Sequence, residues 1–290
     1  MKVFLITTEK ELAENKRIEE EIAALGHQFK LIDLKEFEYE IIQNNLFVPQ
    51  FIDTKPDIIV IRGVFRSIKI ISSYIEILRR QGVKVFDNNF LIHKYSINKI
   101  ADLIKLSQSG LPVPDSFHLH SFSKFLPLAL KIGYPVICKF TRMGKGAGVY
   151  KFDNEIDLSV FLEKLEKGES EAKNFMLQKF IPYKYDLRVL IIGKNIFCMR
   201  RIPRGGEFRA NFSLGGSVEV FELDEKDKEL ALSAAKAVDV EVAGVDLLIT
   251  DSGERYILEV NHIPGFVGME KATGKNIGRI YVEYVIANAK

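Results

Sequence analysis

Short apolar runs alternate with amphipathic helical segments through the first ninety residues, and no other feature restricts the possible folds of this chain as strongly. Residues 3 to 6 read as a strand, 11 to 25 as a helix stopped by Gly26, and 28 to 32 as a second strand. Asp57 to Arg62, a helix over 68 to 81 closed by Gly82, and Val83 to Phe86 repeat the pattern. Parallel neighbours need crossover connections, so this alternation predicts an open, mostly parallel sheet with helices on its faces. Residues 1–90 are therefore expected to form an α/β domain.

Beyond residue 90 the pattern changes. A helix over 91 to 109 ends at Gly110 ahead of Pro112 and Pro114, which reads as a connection between lobes. Strand Pro135 to Phe140, the segment Arg142-Met143-Gly144-Lys145-Gly146-Ala147-Gly148, strand Val149 to Phe152 and a charged helix over 154 to 167 come next. Two strands bracketing a glycine loop resemble a phosphate lid. From Phe175 strands follow one another: Phe175 to Ile181, Leu187 to Ile192 and Ile196 to Arg201. A helix over 225 to 238, a hairpin and a terminal helix over 275 to 288 complete an α+β lobe. The expected divisions are 1–90, 91–174 and 175–290, a mixture of α/β and α+β.

Composition narrows the function classes. The 290 residues are 47% hydrophobic and 28% charged, which describes a soluble globular protein with a substantial core. A formal net charge of +2 lacks the basic footprint of a nucleic-acid binder. No uninterrupted apolar stretch is long enough to span a bilayer, and the run at the start is too short for a signal peptide. Cys138 and Cys198 lie in apolar strand-like runs and read as buried small hydrophobes, in keeping with a reducing cytoplasm. A homo-oligomer with neither nucleic-acid nor membrane partners is expected.

The hairpin near the C-terminal end carries the most informative chemistry. Val245-Asp246-Leu247-Leu248-Ile249 and Tyr256-Ile257-Leu258-Glu259-Val260-Asn261 are joined by Asp251-Ser252-Gly253-Glu254. Period-two alternation puts Glu259 and Asn261 on one face, with Asp246 able to pair opposite them. Three oxygen ligands suit a hard cation such as Mg²⁺, which takes carboxylates, water and substrate phosphates. Glu259 stands within an apolar run, where an acid needs a cation. Upstream, Lys99 and Lys139 can neutralise phosphate oxygens, and amides at Gly144, Gly146 and Gly148 can form an anion-binding concavity. Asp186 and Arg188 share a strand face, while Arg200, Arg201, Arg204 and Arg209 cluster with Asn211. Guanidinium forks suit an acidic substrate and a transferring phosphoryl group.

Taken together, these segments resemble the ATP-grasp superfamily, and within it the RimK branch of carboxylate–amine ligases. The resemblance is carried in order by Asn98-Lys99-Ile100, Gly110-Leu111-Pro112-Val113-Pro114, Pro135-Val136-Ile137-Cys138-Lys139 with the glycine loop, and Gln178-Lys179-Phe180-Ile181 with Asp186-Leu187-Arg188. It continues through Gly206-Glu207-Phe208-Arg209-Ala210-Asn211, Ala243-Gly244-Val245-Asp246, Leu258-Glu259-Val260-Asn261-His262-Ile263-Pro264-Gly265-Phe266 and Glu270-Lys271-Ala272-Thr273-Gly274. It implies an ATP-grasp fold: an N-terminal α/β pre-ATP-grasp domain, a central subdomain with a glycine-rich lid, and a C-terminal α+β subdomain bearing the Mg site. It implies further that Lys99, Lys139, Gly144 and Gly146 meet ATP phosphates and that Gln178, Lys179, Phe180 and Ile181 form the hinge that reads adenine. Asp186 would bind the ribose or nearby nucleotide atoms, and Arg209, Ala210 and Asn211 the phosphates. Asp246, Glu259 and Asn261 would hold two Mg²⁺, with Mn²⁺ as a substitute, and Arg209, Arg201 and Lys139 would be catalytic.

The implied reaction consumes ATP to join an amino acid, glutamate foremost, to a carboxylate acceptor on a protein tail or coenzyme through an acyl phosphate. Three positions depart from the branch. Leu214 stands where many relatives place Arg, Ile263 replaces a small polar residue, and Lys179 occupies an often acidic position. Asn261-His262 also resembles ligases acting on an amino-group carrier protein in lysine and arginine biosynthesis. A phosphotransferase using the same nucleotide site is the rival enzyme, and an ATP-sensing or scaffold module the rival outside catalysis.

Overall fold

The computed structural model describes residues 1–52, 54–64, 67–91, 98–141, 148–183, 185–202 and 217–290, with Ser217 and Val218 described by backbone alone. In chain order the first region holds β1 (Lys2–Thr7), α1 (Ala13–Ala24), β2 (Gln28–Asp33), β3 (Glu40–Ile42), β4 (Asn45–Phe47), β5 (Ile58–Ile61), α2 (Ile68–Arg80) and β6 (Lys84–Phe86). The second holds α3 (Lys99–Gln108), β7 (Ser116–His118), α4 (Phe125–Ile132), β8 (Val136–Phe140), β9 (Val149–Phe152), α5 (Glu155–Lys167) and β10 (Phe175–Lys179). The third holds β11 (Asp186–Ile192), β12 (Asn195–Ile202), β13 (Ser217–Val220), α6 (Glu225–Ala237), β14 (Val242–Ile249), β15 (Arg255–Asn261), α7 (Val267–Thr273) and α8 (Ile277–Asn288).

The strand–helix alternation at the start produces what crossover geometry demands: a sheet in the order β2-β1-β5-β6, parallel throughout. Its β1 and β5 are buried on both faces, the reason they read as unbroken apolar runs. A second sheet runs β7-β10-β8-β9 and a third β13-β12-β11-β14-β15, both antiparallel. β10 belongs to the second sheet, so the passage into the third runs through residues 180–185, downstream of the 174/175 division drawn from the sequence.

The β3–β4 hairpin, β7, β13, α4 and α7 had no expectation and are present. β3 and β4 form a hairpin whose six strand residues are all exposed, so no inward–outward alternation marks it. Gln43 and Asn44, at φ 49° and 66°, make its two-residue turn. α4 contains Pro127, tolerated because it falls in the first turn. α7 is a short helix capped by Gly274 in the left-handed region, at φ 67°.

The cores show how the sheets are joined. One cluster combines Val3, Leu5 and Val60 of the first sheet with Leu190, Ile192 and Phe197 of the third, and is covered by Tyr281, Val282 and Val285 of α8. Lys290 exchanges backbone hydrogen bonds with Val85, fastening the segment after α8 to β6. Phe122, Phe125, Cys138, Leu158 and Leu177 form a separate core that belongs to the second sheet alone. The helix carrying Lys99 lies elsewhere: Leu106 of α3 packs with Leu187, Val245, Leu247 and Val260 of the third sheet.

Candidate active site

The third sheet brings three of the sequence-selected residues into one row and a fourth into the next. Asp246 pairs across strands with Glu259 on one side and Arg188 on the other, and Gly244 faces Asn261. A bulge follows immediately, because Leu247 pairs with Ile257 and leaves Leu258 extra; Glu259 and Asn261 keep a common face. The Asp251–Glu254 turn closes as expected, with Gly253 at φ 82° donating to Thr250 and Thr250 donating to Glu254. Gly244 is required for a packing reason. A Cβ there would lie 2.9 Å from Arg188 Nη1 and 3.0 Å from Pro264 Cβ, so only glycine lets both cross the strand.

Charge is tightly balanced in this row. Arg201 donates from Nε to Asp186 Oδ1 at 2.6 Å and from Nη2 to Oδ2 at 2.8 Å, a bidentate pair between residues directly opposite on β12 and β11. The same Nη2 lies 3.1 Å from Asp246 Oδ2, and Arg188 Nε lies 2.9 Å from Asp246 Oδ1. Burial opposes the charge on Arg201, but Asp246 and Asp186 outweigh it and hold the guanidinium protonated above its ordinary value. Asp186, selected as a nucleotide contact, has both oxygens engaged by Arg201; Arg201, selected as catalytic, is 5% exposed. The two act on each other and, through Arg201, on Asp246.

The opposite wall comes from the second sheet and α3. Lys139 sits on β8 across from Met176, and its Nζ donates to Gln178 Oε1 at 2.5 Å. Gln178 donates in turn to Ser116 Oγ at 2.8 Å, which orients the amide so that its oxygen faces the lysine. Burial, followed by the Lys99 charge, lowers the Lys139 ammonium to about 8, although Glu259 and Asp246 pull it upward. Lys99, the first residue of α3 after the Asn98 cap, reaches Glu259 Oε2 at 3.1 Å. A narrow cavity of about 20 Å³, lined by Lys99, Lys139, Met176, Gln178 and Glu259, separates the two sheets here. The four cations Lys99, Lys139, Arg188 and Arg201 meet three carboxylates, Asp186, Asp246 and Glu259. One positive charge in excess suits a polyanionic ligand.

The donor set fits a hard cation. Asp246 Oδ1 is buried without an aligned hydrogen bond despite its nearness to Arg188, and such an oxygen gains most from a metal. Among the described residues no three acidic, His or Cys side chains converge, so two carboxylates and an amide would leave coordination to be completed by water and phosphate. Asn261 Oδ1 currently accepts from Ile263 N at 2.9 Å.

Other selected residues are more dispersed. The amides of Lys179 and Phe180 donate to Asp115 and Pro135 carbonyls, so backbone donation in this stretch serves the sheet, and Ile181 is buried. Gly144, Gly146, Arg209, Ala210 and Asn211 lie outside the described residues, as do Arg204 and Leu214. Three side chains make contacts that have no signal in the sequence. His262, given no role there, places Nε2 3.0 Å from Asp102 Oδ2 on α3, a buried tie between residues 160 apart that braces the Lys99 helix against β15. Arg62 donates to the Pro264 carbonyl at 2.9 Å, and Asn88 Nδ2 to the carbonyls of Val242 and His262 at 2.9 and 2.7 Å, so the first sheet supports the loop after Asn261.

Comparisons with known proteins converge. Residues 96–285 match the model of the RimK-like ATP-grasp domain. The chain is similar over its whole length to a "Probable alpha-L-glutamate ligase 2" of Pseudoalteromonas atlantica (strain T6c / ATCC BAA-1087), 27% identical and covering 97% of that protein. A "Probable alpha-L-glutamate ligase" of Psychromonas ingrahamii is 29% identical, with 100% and 96% of the two chains covered. Among solved structures, the ATP-grasp ligase PsnB complexed with a phosphomimetic variant of its minimal precursor, Mg and ADP superposes with a TM-score of 0.77 at 19% identity, over 99% of this chain and 98% of that one. D-alanyl-alanine synthetase A from Vibrio cholerae gives 0.72 at 19% identity, covering 99% and 98%.

Proposed function

This chain belongs to the RimK-like ATP-grasp family and is an ATP-dependent carbon–nitrogen ligase, and on that premise we propose that it adds glutamate to a carboxylate acceptor, on a protein tail or a coenzyme, through an acyl phosphate. The observation that carries the reading is the facing of two walls: Asp246 and Glu259 side by side on β14 and β15, with Lys99 touching Glu259 and Lys139 lining the same cavity.

In this reading an oxygen of the acceptor carboxylate attacks the γ-phosphorus of ATP, the bond from phosphorus to the β-γ bridging oxygen breaks, and ADP leaves. The glutamate amine then attacks the acyl carbon, phosphate departs with the carbon–oxygen bond, and the nitrogen gives up a proton as the amide forms. Lys99 and Lys139 offset charge accumulating on the phosphates, and the Gln178–Ser116 hydrogen bond keeps Lys139 aimed at them. Arg188 and Arg201 hold the Asp246 carboxylate in place. Asp246, Glu259 and Asn261 would hold two Mg²⁺, with Mn²⁺ a substitute; the ions, when bound, neutralise phosphate oxygens and orient the γ-phosphoryl group. The described residues supply no evident base for the amine.

Glu259→Gln tests the assignment. It keeps the volume of the side chain and removes the charge that faces Lys99, so glutamate- and acceptor-dependent ADP release should fall by about 10³-fold while the thermal transition stays in place. Product mass decides the reaction type: addition of one glutamate residue per ADP supports ligation, whereas phosphate retained on the acceptor, or full activity in E259Q, would overturn the reading.

A further inference from the structure

A second concentration of charge lies at the other end of the first sheet. The last turn of α2 carries Arg79 and Arg80, β6 begins with Lys84, and Lys290 lies beside them on the segment that pairs with β6. With Glu76 these side chains line an open pocket of about 470 Å³. Among the side chains that line it, four cations face one carboxylate. Several long cationic side chains elsewhere are spent on carboxylates: Lys10 on Glu36, Arg17 on Glu21 and Glu270, Arg279 on Glu21. Among the described residues none of Arg79, Arg80, Lys84 and Lys290 has an ion-pair partner. Compensation of the α2 dipole accounts for Arg79 and Arg80 at its carbonyl end. It does not account for Lys84 or Lys290, which arrive from two other segments.

The pocket is separate from the reaction cavity. Lys84 pairs with Ile58, the first residue of β5, whereas Arg62, beyond the last residue of β5, contacts the Pro264 loop. At ~3.3 Å per residue the length of β5 alone sets the two ends ~13 Å apart.

We propose that this pocket is a docking site for a carboxylate-rich peptide, the acidic stretch of the acceptor that lies outside the reaction cavity. The proposal rests on the reading that the enzyme extends its acceptor with glutamate. Each addition then brings one more carboxylate, so the product binds the pocket better than the substrate and stays engaged for the next round. A planar guanidinium fork and a compact ammonium suit carboxylates presented at varied spacing, and an open pocket accepts a flexible chain.

The test needs no turnover. Binding of fluorescein-labelled hexaglutamate is measured by anisotropy, without ATP, at low and high salt, to the wild type, to the triple variant R79S/R80S/K84S and to E76Q. The wild type should bind hexaglutamate but not hexaglutamine, with an affinity that falls as salt rises. The triple variant should bind about tenfold more weakly and E76Q about twofold more tightly, in line with exposed charge pairs. The gain in E76Q keeps the test valid should the triple variant misfold. Equal binding of hexaglutamine, no change in E76Q together with none in a folded triple variant, or displacement of hexaglutamate by single-stranded DNA or polyphosphate at lower concentration than by free hexaglutamate would overturn the proposal. E259Q should bind hexaglutamate like the wild type, so a failed ligase reading and a failed docking site leave different results.

Discussion

Replacing Lys139 by Met separates what this residue does for catalysis from what it costs the fold. The ammonium stands beside Lys99 in a half-buried position, and its lowering from 10.5 to about 8 means that the folded chain holds the proton less tightly than the unfolded chain does. The gap corresponds to roughly 3 kcal/mol, which partial solvent access reduces to about 2 kcal/mol. Below pH 8 both states carry the proton and the whole penalty falls on the native state. Between 8 and 10.5 the unfolded state binds more protons, so this group makes stability rise with pH. Urea unfolding of the wild type and K139M, followed by circular dichroism from pH 7 to 10.5, isolates that contribution because the other titrating groups cancel. The stability of the wild type relative to the variant should increase by about 2 kcal/mol across the range. Constant terms drop out of the comparison, among them the Gln178 oxygen left without a donor. MgATP should raise the transition of the wild type and leave that of K139M where it was. A difference between the two proteins that does not change with pH would refute the electrostatic account of Lys139.

Arg201→Met tests the row on the third sheet: it strands the Asp186 carboxylate at 7% exposure and removes one of two cations from Asp246, so a loss of about 3–5 kcal/mol in urea unfolding is expected, and a loss below about 1 kcal/mol would mean that the bidentate pair is not maintained in solution. Burial pushes the thiols of Cys138 and Cys198 up to about 12, so at pH 8 the native protein should resist a thiol reagent for hours and yield both groups only in denaturant; rapid native modification of either would contradict its burial.

Much of the site could be read locally, and what could not depended on long-range contact. Asp246, Glu259 and Asn261 belong to one hairpin, so period-two alternation and a glycine turn sufficed to pair them. The bulge at Leu258 was invisible because it changes no residue type, only the pairing. Asp186 illustrates the opposite case. Strand periodicity assigned its face, but the neighbour on that face is set by the β11–β12 register, and the neighbour proved to be Arg201. No local pattern links His262 to Asp102 or Lys99 to Glu259, each pair being about 160 positions apart. β10 looked like the first of a series of strands because sequence order resembles sheet order until a crossover intervenes. Only its pairing with β7 and β8 assigns it to the second sheet.

The distribution of the cores has a bearing on how the molecule can come apart. Leu190 and Tyr281 lie in packing that includes Val3 and Val60, so the first and third sheets cannot open independently, and damage to either is felt by both. Among the described residues, Phe125, Cys138 and Leu177 share no such cluster with the other two sheets. The second sheet can therefore melt or swing as a unit of its own while the strands bearing Asp246 and Glu259 stay folded. The carboxylate wall behaves as the anvil of the machine, and the lysine wall on β8 as the part that can be withdrawn and replaced on it.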